Sequence, residues 1–84
     1  MVTSIIKRDG RAVDFHQEKI AEAVEKAFRA SGAMQPRGVA DGIAERVVEK
    51  VESGAIEGTP TVEGVQDLVE ETLIEEGFTQ TAKA

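Results

Sequence analysis

A mostly helical α+β domain, with a small β-hairpin laid against a three- to four-helix bundle, is the fold class that this sequence predicts. Three observations carry that reading. Ser4 to Phe15 is two short β-branched runs joined by Asp9-Gly10, one of the strongest local signals for a hairpin. Behind it, apolar residues recur at helical spacing in three stripes, Ile20/Val24/Phe28, Ile43/Val47/Val51 and Leu68/Val69/Leu73. Eighty-four residues, 40% of them apolar, hold one small core and no second one. Packing the hairpin on the helices is the simplest way to bury all the stripes at once.

The hairpin spans residues 4–15. If Asp9-Gly10 form a two-residue loop, Arg8 and Arg11 face each other across the strands, a repulsive pair and a poor design for stability alone. With Lys7 alongside and Lys19 following at the start of a helix, the arrangement suits an anion held against the hairpin. A solvated tip whose charges keep the sheet edge from pairing remains open as the plainer reading. The first helix covers about 16–31. Phe15 and Ile20 stand where a hydrophobic staple would, and His16 takes the cap position, for which histidine is a mediocre choice. Ser31-Gly32 ends it, and a loop with Pro36 runs to Gly38.

A second helix covers about 39–53, with Asp41, Glu45, Arg46, Glu49 and Lys50 on its outer face. Gly54 to Pro60 connects it to a third helix over about 61–76, capped by Thr61 and carrying Glu63 and Asp67 early, where they suit the macrodipole. Glu75 and Glu76 at its far end do not suit it. Gly77 closes the helix, and residues 79–84 look like the start of a fourth, truncated one. Where a full fourth helix would pack, the converging stripes predict an exposed apolar seam, a surface that favours self-association.

The net charge of −6 argues against nonspecific binding to a nucleic-acid backbone. Its distribution says more than its sum. Residues 1–20 carry Lys7, Arg8, Arg11 and Lys19 against three acids, whereas residues 51–80 carry eight acids and no base. A compact anion fits one end of such a molecule better than a duplex does. With no cysteine and one histidine there is neither a disulfide framework nor a zinc cluster. No signal peptide and no membrane-length apolar run is present, so a soluble, cytoplasmic domain is expected, without nucleic-acid or membrane partners.

Catalytic constellations fail on inspection. The eight glycines are scattered rather than gathered into a phosphate loop. His16 stands alone among charged neighbours. Glu70-Glu71 and Glu75-Glu76 read as a solvated helix face rather than an acid/base dyad, which would need burial to separate its pKa values. Three phenylalanines, without Tyr or Trp, make no stacking platform for single strands. The residues by themselves describe a binding or regulatory module for a small anion.

Ile5-Ile6-Lys7-Arg8-Asp9-Gly10-Arg11, then Val13-Asp14-Phe15 and Glu18-Lys19-Ile20, resemble the opening of the ATP-cone domain, the nucleotide-binding allosteric unit of many ribonucleotide reductases. Thr61 to Glu70 and Ala82-Lys83-Ala84 resemble the family's third helix and the beginning of its fourth, so the resemblance spans nearly the whole chain as a single domain, 1–84. The run from Thr72 to Gly77 and on to Ala84 is most similar to the anaerobic ribonucleoside-triphosphate reductases.

The resemblance implies a hairpin lid over ATP or dATP, with Mg2+ as a candidate companion of the triphosphate and no metal ligand from the protein. By the family pattern Lys7 and Arg8 meet the phosphates. Ile5, Val13, Phe15, His16, Lys19 and Ile20 line the pocket toward base and sugar, and Thr61 and Gln66 add contacts from the third helix. It also implies a regulatory domain without catalysis of its own, whose partner is the catalytic domain of a parent reductase, with a homo-oligomer as a further candidate. His16 departs from the usual Asp or Asn, Gly64 stands where an acid is common, and the fourth helix, which supplies another basic contact, is essentially absent. Two alternatives stay open: the cone of a transcriptional repressor, disfavoured because no cysteine supplies that family's zinc ribbon, and a helical module that docks a protein without nucleotide.

Overall fold

The computed structural model describes residues 4–33, 35, 38–54 and 59–83. Two strands and four helices follow one another: β1 Ser4–Ile6, β2 Ala12–Asp14, α1 Gln17–Ser31, α2 Val39–Glu52, α3 Val62–Glu75 and α4 Thr79–Ala82. The α+β class expected from the sequence is thus the one observed. The expectations placed on Pro36, on most of the Gly54–Pro60 connection and on Ala84 lie outside the described residues.

β1 and β2 pair antiparallel with Ile5 opposite Val13 and Ile6 opposite Ala12. The ladder extends one step further, where the Lys7 N–H donates to the Arg11 carbonyl at 2.8 Å. The turn differs from the two-residue loop suggested by Asp9-Gly10. Gly10 N–H donates to the Lys7 carbonyl at 2.9 Å, so Arg8, Asp9 and Gly10 form a three-residue loop, a turn closed by a glycine at φ 89°. A two-residue primed turn would drive Asp9 into the left-handed region as well, and no described non-glycine residue adopts positive φ. Lys7, not Arg8, therefore faces Arg11. Their repulsion is relieved locally, because Asp9 accepts from the Arg11 backbone N–H at 3.0 Å and from its Nε at 2.7 Å.

The outer edge of β1 is tied to the bundle. Ile6 N–H donates to the Pro60 carbonyl at 2.9 Å, and Ile6 forms a parallel bridge with Thr61. That places the start of α3 beside the hairpin. Thr61 caps α3, its Oγ1 accepting from Gly64 N–H at 2.9 Å. His16 is extended at the N-cap of α1 but offers no capping hydrogen bond, which leaves its ring available for other contacts. α1 ends at Gly32, whose φ of 71° lets its N–H turn back to the Phe28 and Arg29 carbonyls.

The core is built by Ile20, Val24 and Phe28 of α1, Ile43, Val47 and Val51 of α2, and Val65, Leu68 and Leu73 of α3. α4 closes the end remote from the hairpin. Phe78, just before it, packs edge-on against Phe28 with ring centroids 5.1 Å apart. The hydroxyls of buried Thr81 and Ser31 lie 2.9 Å apart in a hydrogen bond. Because this corner is filled, the expected apolar seam does not appear among the described residues: Ile74, at 49% exposure, is the one large hydrophobic side chain left in solvent. Glu75 and Glu76, unexplained by their own helix, find their partners on α2. Arg46 Nε lies 3.2 Å from Glu76, and Lys50 Nζ donates to Glu75 at 2.7 Å and to the buried Thr72 hydroxyl at 2.9 Å.

Candidate functional site

Opposite the α4 end, the hairpin stands off the bundle and leaves a cleft of about 580 Å³ between it and the first turns of α1 and α3. The size is that of a small-molecule site. Strand alternation sends Ile5, Lys7 and Val13 to the same face of the hairpin, and that face is the one turned to the cleft. Phe15 continues it, His16, Lys19, Ile20 and Ala23 come from the α1 side, and Val62, Val65, Gln66 and Val69 from α3. The floor is thereby aliphatic with one phenyl ring. Polar groups, namely Lys7, Asp14, His16, Lys19 and Gln66, surround it.

Two smaller hollows adjoin the cleft at the hairpin tip. One, about 200 Å³, is lined by Ile6, Lys7, Arg8, Thr61, Val62 and Glu63, and the other by Lys7, Arg8, Asp9, Val62 and Gln66. Lys7 belongs to all three and is the hinge between the apolar floor and the polar tip.

The cations are not equivalent. Arg11 is held by Asp9, and its backbone N–H, then its side chain, together with nearby Lys7, keep the Asp9 carboxyl below the usual carboxylate range. Arg8 Nε lies 3.6 Å from Glu63 Oε1, both side chains being about 70% exposed. His16 Nδ1 lies 3.5 Å from Glu18 Oε1, an ion pair only when the imidazole is protonated. Lys7 and Lys19 have no ion-pair partner among the described residues. Within the cleft, then, the cations not already paired with an acid are two lysines, and Asp14 is the one carboxylate that lines it with them. Such a site can hold an anionic group at its rim while an apolar ring system covers the floor.

Of the ten residues expected at a site, the cleft brings together Ile5, Lys7, Val13, Phe15, His16, Lys19, Ile20 and Gln66. Arg8 and Thr61 stand outside it, in the hollow beyond Lys7. Asp14, Ala23, Val62, Val65 and Val69 line the cleft without having been singled out. Val62, Val65 and Val69 carry the spacing of a core stripe, and periodicity does not separate a core face from the floor of a cleft. Ala23 had a usable signal, since it lies one turn beyond Lys19 and Ile20 on the same face of α1.

A family model described as the ATP cone domain matches residues 3–84. The ribonucleoside-diphosphate reductase subunit alpha of Chlamydia pneumoniae is 38% identical over 88 residues, covering 98% of this chain and 8% of that protein. A vitamin B12-dependent ribonucleoside-diphosphate reductase from Thermoplasma acidophilum is 33% identical over 91 residues, covering 100% of the chain and 11% of that protein. The subunit alpha of Chlamydia muridarum is 34% identical over 88 residues, with 95% and 8% covered. The chain thus spans about a tenth of the length of the curated relatives it matches. No helix among the described residues is long and apolar enough to cross a membrane.

Proposed function

The chain belongs to the ATP cone domain family, and from that premise we propose that it binds ATP or dATP in the cleft and regulates the activity of a ribonucleotide reductase without catalysing a reaction itself. The observation that carries this reading is the junction at Lys7, where an apolar floor of suitable volume meets a rim bearing two lysines not engaged by acids. A purine on Ile5, Val13, Phe15 and Ile20 would be covered by aliphatic and phenyl surface. Its phosphates would then run toward Lys7 and Arg8, with Lys19 flanking, and charge-assisted hydrogen bonds would supply most of the affinity.

Mg2+ fits this scheme as a companion of the triphosphate. Asp14 is the one carboxylate on a rim that also carries two lysines, and no group of three or more metal-ligating side chains occurs among the described residues, so most of its oxygen donors would come from phosphates and water. The protein's part is to hold the phosphate oxygens that leave the ion in place.

Regulation requires more than binding. A ligand shifts an equilibrium only by its difference in affinity for two states. ATP and dATP differ by one ribose hydroxyl, so discrimination belongs to the sugar end of the cleft, near His16 and Lys19. ATP would permit activity and dATP suppress it by altering how this domain packs on the catalytic domain of its parent enzyme. The matched relatives are named as ribonucleoside-diphosphate reductases, whereas residues 72–84 resemble the anaerobic triphosphate enzymes. A ribonucleotide reductase is the parent enzyme common to both.

The test is a titration of the chain with ATP and dATP in the presence of magnesium, followed by calorimetry and by amide chemical shifts. Shifts concentrated at residues 5–20 and 61–69 are expected. Absence of both heat and shift change overturns the nucleotide reading and favours a domain that docks protein instead.

A further inference from the structure

The hollow outside Lys7 contains an acid where a phosphate-binding surface would be expected to hold only bases and hydrogen-bond donors. Glu63, in the first turn of α3, reaches across to Arg8 on the hairpin tip, Oε1 to Nε 3.6 Å, and is the partner Arg8 has among the described residues. Both side chains line this hollow, which opens into the main cleft through the shared Lys7 and Val62. We propose that Glu63 makes the site sensitive to the length of the phosphate chain, holding Arg8 until the distal phosphates of a nucleotide displace it. The inference rests on the nucleotide reading above and adds to it a residue that opposes binding.

The geometry gives the direction. A ligand whose ring system occupies the floor meets Lys7 first and reaches Arg8 only with what lies beyond. A monophosphate ends before that point, so its binding leaves the Arg8–Glu63 pair intact. A triphosphate extends into the hollow and meets two obstacles of the same sign: Arg8 is already neutralised, and the Glu63 carboxylate repels the incoming oxygens. Glu63 also helps fasten the hairpin tip to α3, beside the Ile6–Thr61 bridge and its backbone bond from Ile6 to Pro60. Exchange of Glu63 for phosphate on Arg8 would therefore release the tip from α3 and transfer it to the ligand. That is a movement only the longer nucleotides would produce.

Both side chains are about 70% exposed, so the effect is modest and screened by salt. The experiment measures the dissociation constants of ATP, ADP and AMP by NMR titration, which follows weak binding. The proteins are the parent chain, E63Q, E63D, R8A and R8A/E63Q, each at low and high salt. E63Q should tighten ATP by about two- to fivefold at low salt, the range for an exposed ion pair. ADP should gain less and AMP nothing. E63D keeps the charge but loses the reach to Arg8, and should fall between parent and E63Q. In the R8A background the same Glu63 substitution should gain less, since only the repulsion is then removed.

An equal change for the three nucleotides, or a looser ATP complex in E63Q with an unchanged protein spectrum, overturns the assignment to Glu63 and leaves the nucleotide reading standing. Should AMP not bind, the ATP-to-ADP ratio decides in the same way. Failure of every nucleotide to bind the parent chain overturns both.

Discussion

Lys7→Ala tests the placement of the phosphates most directly, because Lys7 is the one charged side chain common to the cleft and both hollows at the tip. A hydrogen bond to a charged group contributes about 1.5–3 kcal/mol. The Lys7 side chain is exposed, so the lower part of that range applies, about 1.5–2 kcal/mol, or roughly a 10- to 30-fold increase in Kd. Folding should respond in the opposite sense or not at all. The contacts that hold the turn use the Lys7 backbone, whose N–H donates to Arg11 and whose carbonyl accepts from Gly10, and alanine keeps both. Removing the ammonium also relieves its repulsion with Arg11 across the strands, so stability should move by less than about 0.5 kcal/mol. The assay is calorimetry with ATP beside urea denaturation of the same two proteins. An unchanged Kd for Lys7→Ala would show that no phosphate lies at this junction. A weakened Kd accompanied by a large loss of stability would show instead that the lysine acts through the fold.

Thr61→Ala should lower stability by about 1 kcal/mol through loss of the cap on Gly64 N–H, read from urea midpoints, and the amide of Gly64 should shift most. Asp9 and Glu75 both have carboxyl pKa values depressed in the folded chain, the first by the Arg11 N–H and the second by the Lys50 ammonium. The unfolded chain then binds protons more readily, so this stabilisation is complete above the ordinary carboxylate range and is lost as pH falls through and below it. Urea midpoints measured from neutral to acid pH should fall accordingly, and less steeply for Asp9→Asn. His16→Ala should change the ratio of ATP to dATP affinities more than Lys7→Ala does. If that ratio moves only with Lys7, discrimination arises at the phosphates.

Local chemistry was legible in the sequence where one element decides its own geometry. Thr61 caps α3 and Gly32 ends α1 because caps depend on a few consecutive residues. Asp9-Gly10 misled because that dipeptide suits a two-residue loop and also the last two places of a three-residue one. Only the pairing of Ile6 with Ala12 decides between them, and pairing is a property of two strands. Glu75 and Glu76 had no explanation within α3 since Arg46 and Lys50, which answer them, come from α2. The cleft was half legible for a similar reason. Its charged rim could be read from residue types, but Val62 and Val69 became floor rather than core through the distance at which the hairpin stands from the bundle.

That distance also separates the molecule's stability from its binding surface. The α4 end holds the Phe28–Phe78 pair, the Ser31–Thr81 hydrogen bond and the Lys50 network, and nothing there borders the cleft. Among the described residues the hairpin end is attached by the Ile6–Thr61 bridge with its Ile6-to-Pro60 hydrogen bond, an exposed ion pair and the partial burial of Ile5 and Phe15 against the core. Opening of the hairpin should thus cost much less than unfolding the helices, as is usual for segments with few buried contacts. A ligand seated between hairpin and bundle would add its binding energy to that weak attachment, and the gain grows as RT ln(1 + [L]/Kd). The element most altered by occupancy is then the one that faces outward at the tip, while the core that keeps the domain folded hardly registers it. A signal delivered to a neighbouring domain should accordingly leave from the hairpin and the start of α3, not from α4.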